Sequence, residues 1–255
     1  MNETTRTVLI GRKPVKEALI NQPRSIDKIL LTKTSGWPEI DAIRAEASRN
    51  GVPVQYAPDV RLDKECGRAN HQGVVAFVSG VDYRDLDDML REVAPTRDDV
   101  TEKQPILLAL DRVEDPHNLG AILRSALAAG VAGVVVPDQR MAPLNAAAMK
   151  ASAGAAMRLP IARVTRLADA LYLMKERGYW VVGADASGEA TIWSYDWRRP
   201  VVIVVGSEGA GLHPSVLEQC DALVSIPLYG PMESLNVSVA SALTVYAAAK
   251  QRHEA

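Results

Sequence analysis

The 255-residue chain is poor in cysteine and has no long apolar run. Its two thiols, Cys66 and Cys220, belong to no CxxC pair, so neither a zinc ribbon nor a disulfide framework is written here. Unpaired thiols suit a reducing cytosol, and a cytoplasmic protein is expected. No stretch approaches the ~20 apolar residues of a membrane-spanning helix. The N-terminus, MNETTRTVLIGRK, lacks the apolar centre of a signal peptide. HExxH, GxSxG and Cys/His ligand spacing are all missing, so no metal site is expected and serine-hydrolase chemistry has no support. The net charge is −2. Without a large basic excess, a nucleic-acid partner would need a local patch.

What is present is an alternation of strands and helices, the pattern of layered α/β domains. Residues 6–79 read as a small α/β unit with strands over 8–10, 26–31, 52–56 and 73–78. Helices over 11–21 and 40–50 lie between them, the second closed by Gly51. Arg6, Arg12, Lys13 and Lys16 cluster near its start, either as a solvated face or as a patch for a phosphate backbone. Net charge is +3 over residues 1–80, −4 over 81–104 and −1 over 105–255. The acidic stretch, with Pro95 and few bulky apolar residues, reads as a linker over 80–104. The division expected is therefore 1–79, linker, and 105–255. No internal repeat stands out.

Three polar constellations follow apolar strands in the C-terminal part. The strand ILLAL, Ile106 to Leu110, runs into a polar turn and a helix with Ile122, Leu123, Ala126 and Leu127 at helical spacing. Asp115-Pro116 marks a turn, Asn118 is an N-cap candidate, and Arg124 is one charge within an apolar helix that must reach water or an anion. The strand VVIVV, Val201 to Val205, runs into GSEGAG, Gly206 to Gly211. Glycines there allow a tight turn or close approach of a ligand to backbone amides. The spacing is GxxGxG, unlike the dinucleotide fingerprint, and no Lys-Ser/Thr follows as in a P-loop. Glu208 is an odd packing residue among glycines. Last, IPLYGPMESLNVSVAS, Ile226 to Ser241, opens the closing helix with Ser234 and Asn236 flanking Leu235. These residues suit ordinary capping, or a pocket with an apolar wall and fixed donors. Leu144 to Ala156 is rich in small residues and must pack closely against something.

Together the three constellations resemble the SpoU/TrmH family of RNA ribose 2′-O-methyltransferases. DPHNLGAILR, ending at Arg124, is similar to its first motif. VGSEGAGL, from Val205, is similar to the second. IPL from Ile226 with SLNVS from Ser234 is similar to the third. The likeness is ordered and covers about residues 105–250. The N-terminal part, opening GRKPV at Gly11 and closing HQGV at His71, is similar to the L30e-like domain of the subgroup that acts on guanosine of 23S ribosomal RNA.

The resemblance implies what local patterning does not. It implies a SPOUT-type α/β domain whose C-terminal part is tied in a deep trefoil knot, otherwise almost absent from proteins. It implies a homodimer with S-adenosylmethionine held in the knotted loops against Gly206, Ile226 and Leu235. It implies methyl transfer to a ribose 2′-hydroxyl of RNA, with Arg124, Asn118, Glu208, Ser234 and Asn236 in the catalytic site. Arg6, Arg12, Lys13 and Lys16 would then meet RNA, with 23S ribosomal RNA favoured over transfer RNA. Two rivals stay open on the residues alone: a non-catalytic RNA-binding protein of the ribosome, and an enzyme using GSEGAG to hold a nucleotide's phosphates.

Overall fold

Alternating strands and helices build two units, one from the chain up to Asp82 with Pro143–Ala146, the other from Tyr83–Ala142 and Ala147–Ala255. The computed structural model describes residues 8–32, 37–67, 69–207, 209 and 211–254. Arg6 and Glu208, both expected to be functional, lie outside them.

In the first unit the order is β1 (Val8–Ile10), α1 (Arg12–Asn21), β2 (Ile26–Thr32), α2 (Pro38–Arg49), β3 (Val54–Ala57), α3 (Asp59–Cys66) and β4 (Val74–Val78). The sheet order is β1-β4-β2-β3, with only β2 and β3 parallel. Side chains alternate across a strand, so β2 feeds two cores. Ile29 and Leu31 pack with Val15, Leu19, Ile40 and Ile43 of α1 and α2. Leu30 packs on the other face with Leu62 of α3 and with Phe77. The expected elements are present within two residues of their expected ends. α3 was not expected, because only Leu62 of its eight residues is buried and its pattern is faint.

The second unit begins where a linker was expected. Residues 86–93 form α4 and Arg97–Lys103 forms α5. Leu86, Met89 and Leu90, spaced to share one helical face, are buried with Ala94 and Val100 in the core of this unit. Each such side chain is worth about 1.5–3 kcal/mol on burial, enough to pin a short helix. The acidity that suggested a linker belongs instead to helix starts. Asp85 caps α4 by accepting from the Asp87 and Asp88 amides, and Thr96 and Asp99 form a capping box on α5. Asp87 also pairs with Arg177 at 2.9 Å.

There follow β5 (Ile106–Leu110), α6 (Pro116–Ala128), β6 (Gly133–Pro137), α7 (Ala146–Ala151), β7 (Ile161–Val164), α8 (Leu167–Glu176), β8 (Trp180–Ala184), β9 (Ala190–Thr191), β10 (Val201–Val205), α9 (Pro214–Leu217), β11 (Ala222–Ser225) and α10 (Val237–His253). Every pairing in the sheet β7-β6-β5-β10-β8-β11-β9 is parallel. β5, β6 and β10 are buried at every residue, as parallel strands with both faces covered must be. The small-residue stretch after Leu144 packs against α6. A Cβ on Gly120 would lie 2.4 Å from the Ala148 carbonyl oxygen and 2.5 Å from the Ala151 Cβ. No described helix is long and apolar enough to cross a membrane.

Candidate active site

β10 enters the sheet between β5 and β8, although the chain lays down β6 and β7 first. Parallel pairing brings the C-terminal ends of β5, β10, β8 and β11 to one edge, and the strand order reverses there. Such an edge is where open α/β sheets bind ligands. The loops leaving it carry the three polar constellations.

The first loop is held by Asp111, buried directly after β5. Its carboxylate accepts from the His213 amide at 2.6 Å and from Arg112 Nε at 3.2 Å. Arg112 Nη2 also donates to the Gly211 carbonyl at 3.1 Å. A buried carboxylate with several charge-assisted bonds is satisfied, so this cluster ties the first loop to the second. Asp115, not Asn118, caps α6. Its side chain accepts from the His117 amide at 2.9 Å, and Pro116 takes the first helical position, where its missing N–H costs nothing. Asn118 is thereby the third residue of the helix, and its side chain serves another partner.

That partner is Asn236, whose Nδ2 donates to Asn118 Oδ1 at 3.0 Å. Asn236 in turn caps α10 by accepting from the Ser238 amide at 2.9 Å. The first and third constellations therefore meet. The second folds on itself. Ser207 and Gly211 exchange backbone hydrogen bonds at 3.1 Å in both directions. Gly206 lies so close beneath this small hairpin that a Cβ would stand 2.3 Å from the Gly211 carbonyl carbon.

A cavity of about 350 Å³ opens at this edge. Gly206, Ile226 and Leu235, the three residues expected at a cofactor, all line it, together with Ser207, Ser234 and Asp185. An adjoining cavity of about 390 Å³ shares Ser207 and Val237 with the first and is lined by Arg112, Asn118 and Arg140. Arg112, Arg140 and Asp185 escaped the sequence reading. A charge directly after an all-apolar strand, as at Asp111 and Asp185, was the signal available. Arg124 lines neither cavity and is exposed on α6. In the first unit Lys13 and Lys16 are exposed on α1. Arg12 is engaged locally: its guanidinium lies 3.8 Å over the Trp37 ring and donates to the Gln72 carbonyl and to Glu39.

Comparison with known proteins accords with this arrangement. Residues 105–246 match the SpoU rRNA Methylase family, and residues 8–84 match the family described as RNA 2′-O ribose methyltransferase substrate binding. A Bacillus subtilis protein named for the TrmH family of tRNA/rRNA methyltransferases is 39% identical, over 96% of both chains. A 23S rRNA (guanosine-2′-O-)-methyltransferase of Xanthomonas campestris is 38% identical, again over 96% of both. The crystal structure of an AdoMet-bound rRNA methyltransferase from Sinorhizobium meliloti superposes with a TM-score of 0.59 at 28% identity, covering 98% of this chain and 88% of that one. With its three loops meeting at one sheet edge and nearly its whole length matched, the chain belongs to the SpoU methylase family.

Proposed function

We propose that the protein transfers a methyl group from S-adenosylmethionine to the 2′-hydroxyl of a guanosine ribose in 23S ribosomal RNA. The observation that carries this reading is the cavity at the sheet edge, which adjoins the Asn118–Asn236 pair and is lined by Gly206, Ile226 and Leu235. The Xanthomonas relative and the AdoMet-bound Sinorhizobium structure support it.

The donor set fits the cofactor. Ile226, Leu228 and Leu235 offer apolar walls for an adenine ring, and the irregular backbone around them offers amides and carbonyls outside regular pairing. Asp185, Ser207 and Ser234 line the same space and suit the polar ribose and amino-acid parts. When bound, S-adenosylmethionine supplies a methyl group on a positively charged sulfur. What the chain supplies is position, which is worth much of the rate in an in-line displacement. Asn118 and Asn236 hold two loops in register, and Ser234 and Glu208 orient substrate and loop. Arg124 stabilises the 2′-oxygen as its proton passes to solvent water and the new bond to the methyl group forms; a guanidinium keeps its own protons, so it serves as a cation and not as a base.

Because Arg124 lines neither cavity of its own chain, the reading includes a homodimer in which a second copy completes the site. Apolar side chains exposed beside the third loop support this: Tyr229 is 93% exposed and Met232 70%, with Val239 and Tyr246 along α10. The knotted connection is part of the same proposal, as likeness to the SpoU methylase family implies. The first unit would deliver RNA through Arg6, Arg12, Lys13 and Lys16, raising the effective concentration of one RNA site.

Calorimetry with S-adenosylmethionine and with ATP tests the cofactor, and methyl incorporation into 23S RNA and into transfer RNA tests the substrate. Binding of S-adenosylmethionine and labelling of 23S RNA as 2′-O-methylguanosine are expected. Labelling of transfer RNA alone would overturn the substrate, and preferential binding of ATP would overturn the reaction.

A further inference from the structure

Two arginines with left-handed backbones line one cavity. Arg112 has φ +59° and Arg140 φ +53°, values that side chains other than Asn and Asp rarely adopt. Such strain persists where the surroundings impose it, and it gathers at functional sites. The surroundings of Arg140 do impose it. Its loop is pinned on both sides, by the Asp138 amide on the Val164 carbonyl at 2.9 Å and by the Ala142 amide on the Val113 carbonyl at 2.7 Å. The chain is thus held so that Arg140 lines the second cavity together with Asn118 and Ser207.

The two cations differ in what they have left to offer. Arg112 is committed to Asp111 and to the Gly211 carbonyl. Arg140 is exposed and has no hydrogen-bond or ion-pair partner among the described residues. Among the described residues two carboxylates also border the cavity. Asp115 is turned to the His117 amide, and Glu114 is exposed and makes no ion pair with Arg140. An uncommitted guanidinium, a neutral amide and a hydroxyl around one space make a site for an anion with a hydroxyl-bearing neighbour. Ser207 and Val237 also line the first cavity, so that anion would lie one group away from the cofactor.

We propose that the second cavity takes a backbone phosphate of the RNA beside the ribose to be methylated, and that Arg140 is the residue that holds it. The inference rests on the methyl-transfer reading above. A planar guanidinium grips a phosphodiester through two parallel hydrogen bonds, which fixes the sugar's direction as well as its distance. Arg140 thereby sets where the 2′-hydroxyl stands against the first cavity, without touching the cofactor.

The test uses the full-length protein and transcribed 23S RNA. RNA affinity is measured at several salt concentrations, kcat and KM at saturating S-adenosylmethionine, and cofactor affinity by calorimetry. Arg140→Ala should weaken RNA binding by roughly tenfold or more, the loss expected for one charge-assisted contact. It should lower the salt slope by about 0.7–0.9, the share of one phosphate. Cofactor affinity should stay at the wild-type value. Arg140→Gly should lose as much RNA affinity without melting earlier, since glycine adopts this φ freely. Arg140→Lys should recover part of the affinity, and Arg166→Ala, which removes an exposed arginine of α8's start, should change neither slope nor KM. A wild-type protein that methylates RNA while Arg140→Gly equals it in affinity, slope and KM overturns the inference alone. A wild-type protein that methylates no RNA overturns the reading beneath it, and this inference with it.

Discussion

Asn236 donates to Asn118 across 3.0 Å, joining residues 118 positions apart in the chain. The bond links the start of α6 to the cap of α10, so it couples a helix end to the wall of the second cavity. Asn236→Ala should cost about 1 kcal/mol from the lost cap alone. Asn118→Ala removes the cross-loop bond but keeps the cap. In a double-mutant cycle by urea unfolding, the pair should show a coupling of about 0.5–1.5 kcal/mol. Each single variant should also lower methylation, because each lets the two loops drift. Additive effects on stability would mean that the bond does not hold the loops together.

Much of this architecture was legible because its signals are local. All-apolar β5 and β10 announce buried strands, and Gly51 closes a helix where the backbone turns left-handed. The stretch 80–104 misled because the acids that cap two helices look like the acids of a solvated tether. Asn118 misled as a cap because Asp115, three residues earlier, does that work with Pro116 in the first turn. β9, two residues long, has too few side chains to show any period. The cavity residues Ile226 and Leu235 came from family likeness. Arg140 came from neither source, since its importance lies in a backbone angle and in a neighbour far along the chain.

Gly206 lines the first cavity and is also packed tightly beneath its own loop. The glycine-rich loop suggested a tight turn or a ligand approaching the backbone, and among the described residues what approaches Gly206 most closely is the protein's own Gly211 and Leu212. Gly206→Ala must therefore push the Ser207–Gly211 hairpin outward, at a cost of about 1–3 kcal/mol for overpacking. Stability and cofactor affinity should fall together. Gly209→Ala makes the useful contrast: φ is +78° but nothing lies within 4 Å of an added Cβ. It should cost roughly 1 kcal/mol of backbone strain and leave the cavity wall in place. Melting curves and calorimetry on both variants check this, and equal loss of cofactor affinity in the two would contradict it.

Arg124 is exposed, and its side chain makes no hydrogen bond or ion pair among the described residues. A helix-surface arginine of this kind contributes little to stability, so Arg124→Ala should change unfolding free energy by less than about 0.5 kcal/mol. Methylation should nevertheless drop by roughly a hundredfold or more, as for loss of one electrostatic group at a transition state. Arg124→Lys keeps the charge and loses the planar fork. Full turnover by the Lys variant would assign Arg124 a point-charge role; full turnover by the Ala variant would remove it from the reaction.

Asp138 begins the loop that carries Arg140, and one of its carboxylate oxygens, Oδ1, is buried without a hydrogen-bond partner among the described residues. Burial pushes its pKa above the ordinary carboxylate value, and nearby Arg163 offsets only part of the rise. A carboxyl whose pKa is raised on folding favours the native state while protonated. Its contribution is complete below the unfolded value of about 3.9 and is lost as pH climbs through the raised native value. Near neutral pH the ionised Asp138 is therefore a net cost. Asp138→Asn keeps the shape, removes the charge and should be more stable than the wild type at pH 7. The advantage should shrink on acidification through the raised native value and vanish only well below about 3.9, where the wild-type carboxyl is protonated in both states. Urea unfolding of both proteins between pH 4 and pH 8 measures the difference. Parallel stability curves over that range would show that Asp138 titrates alike in the folded and unfolded chains.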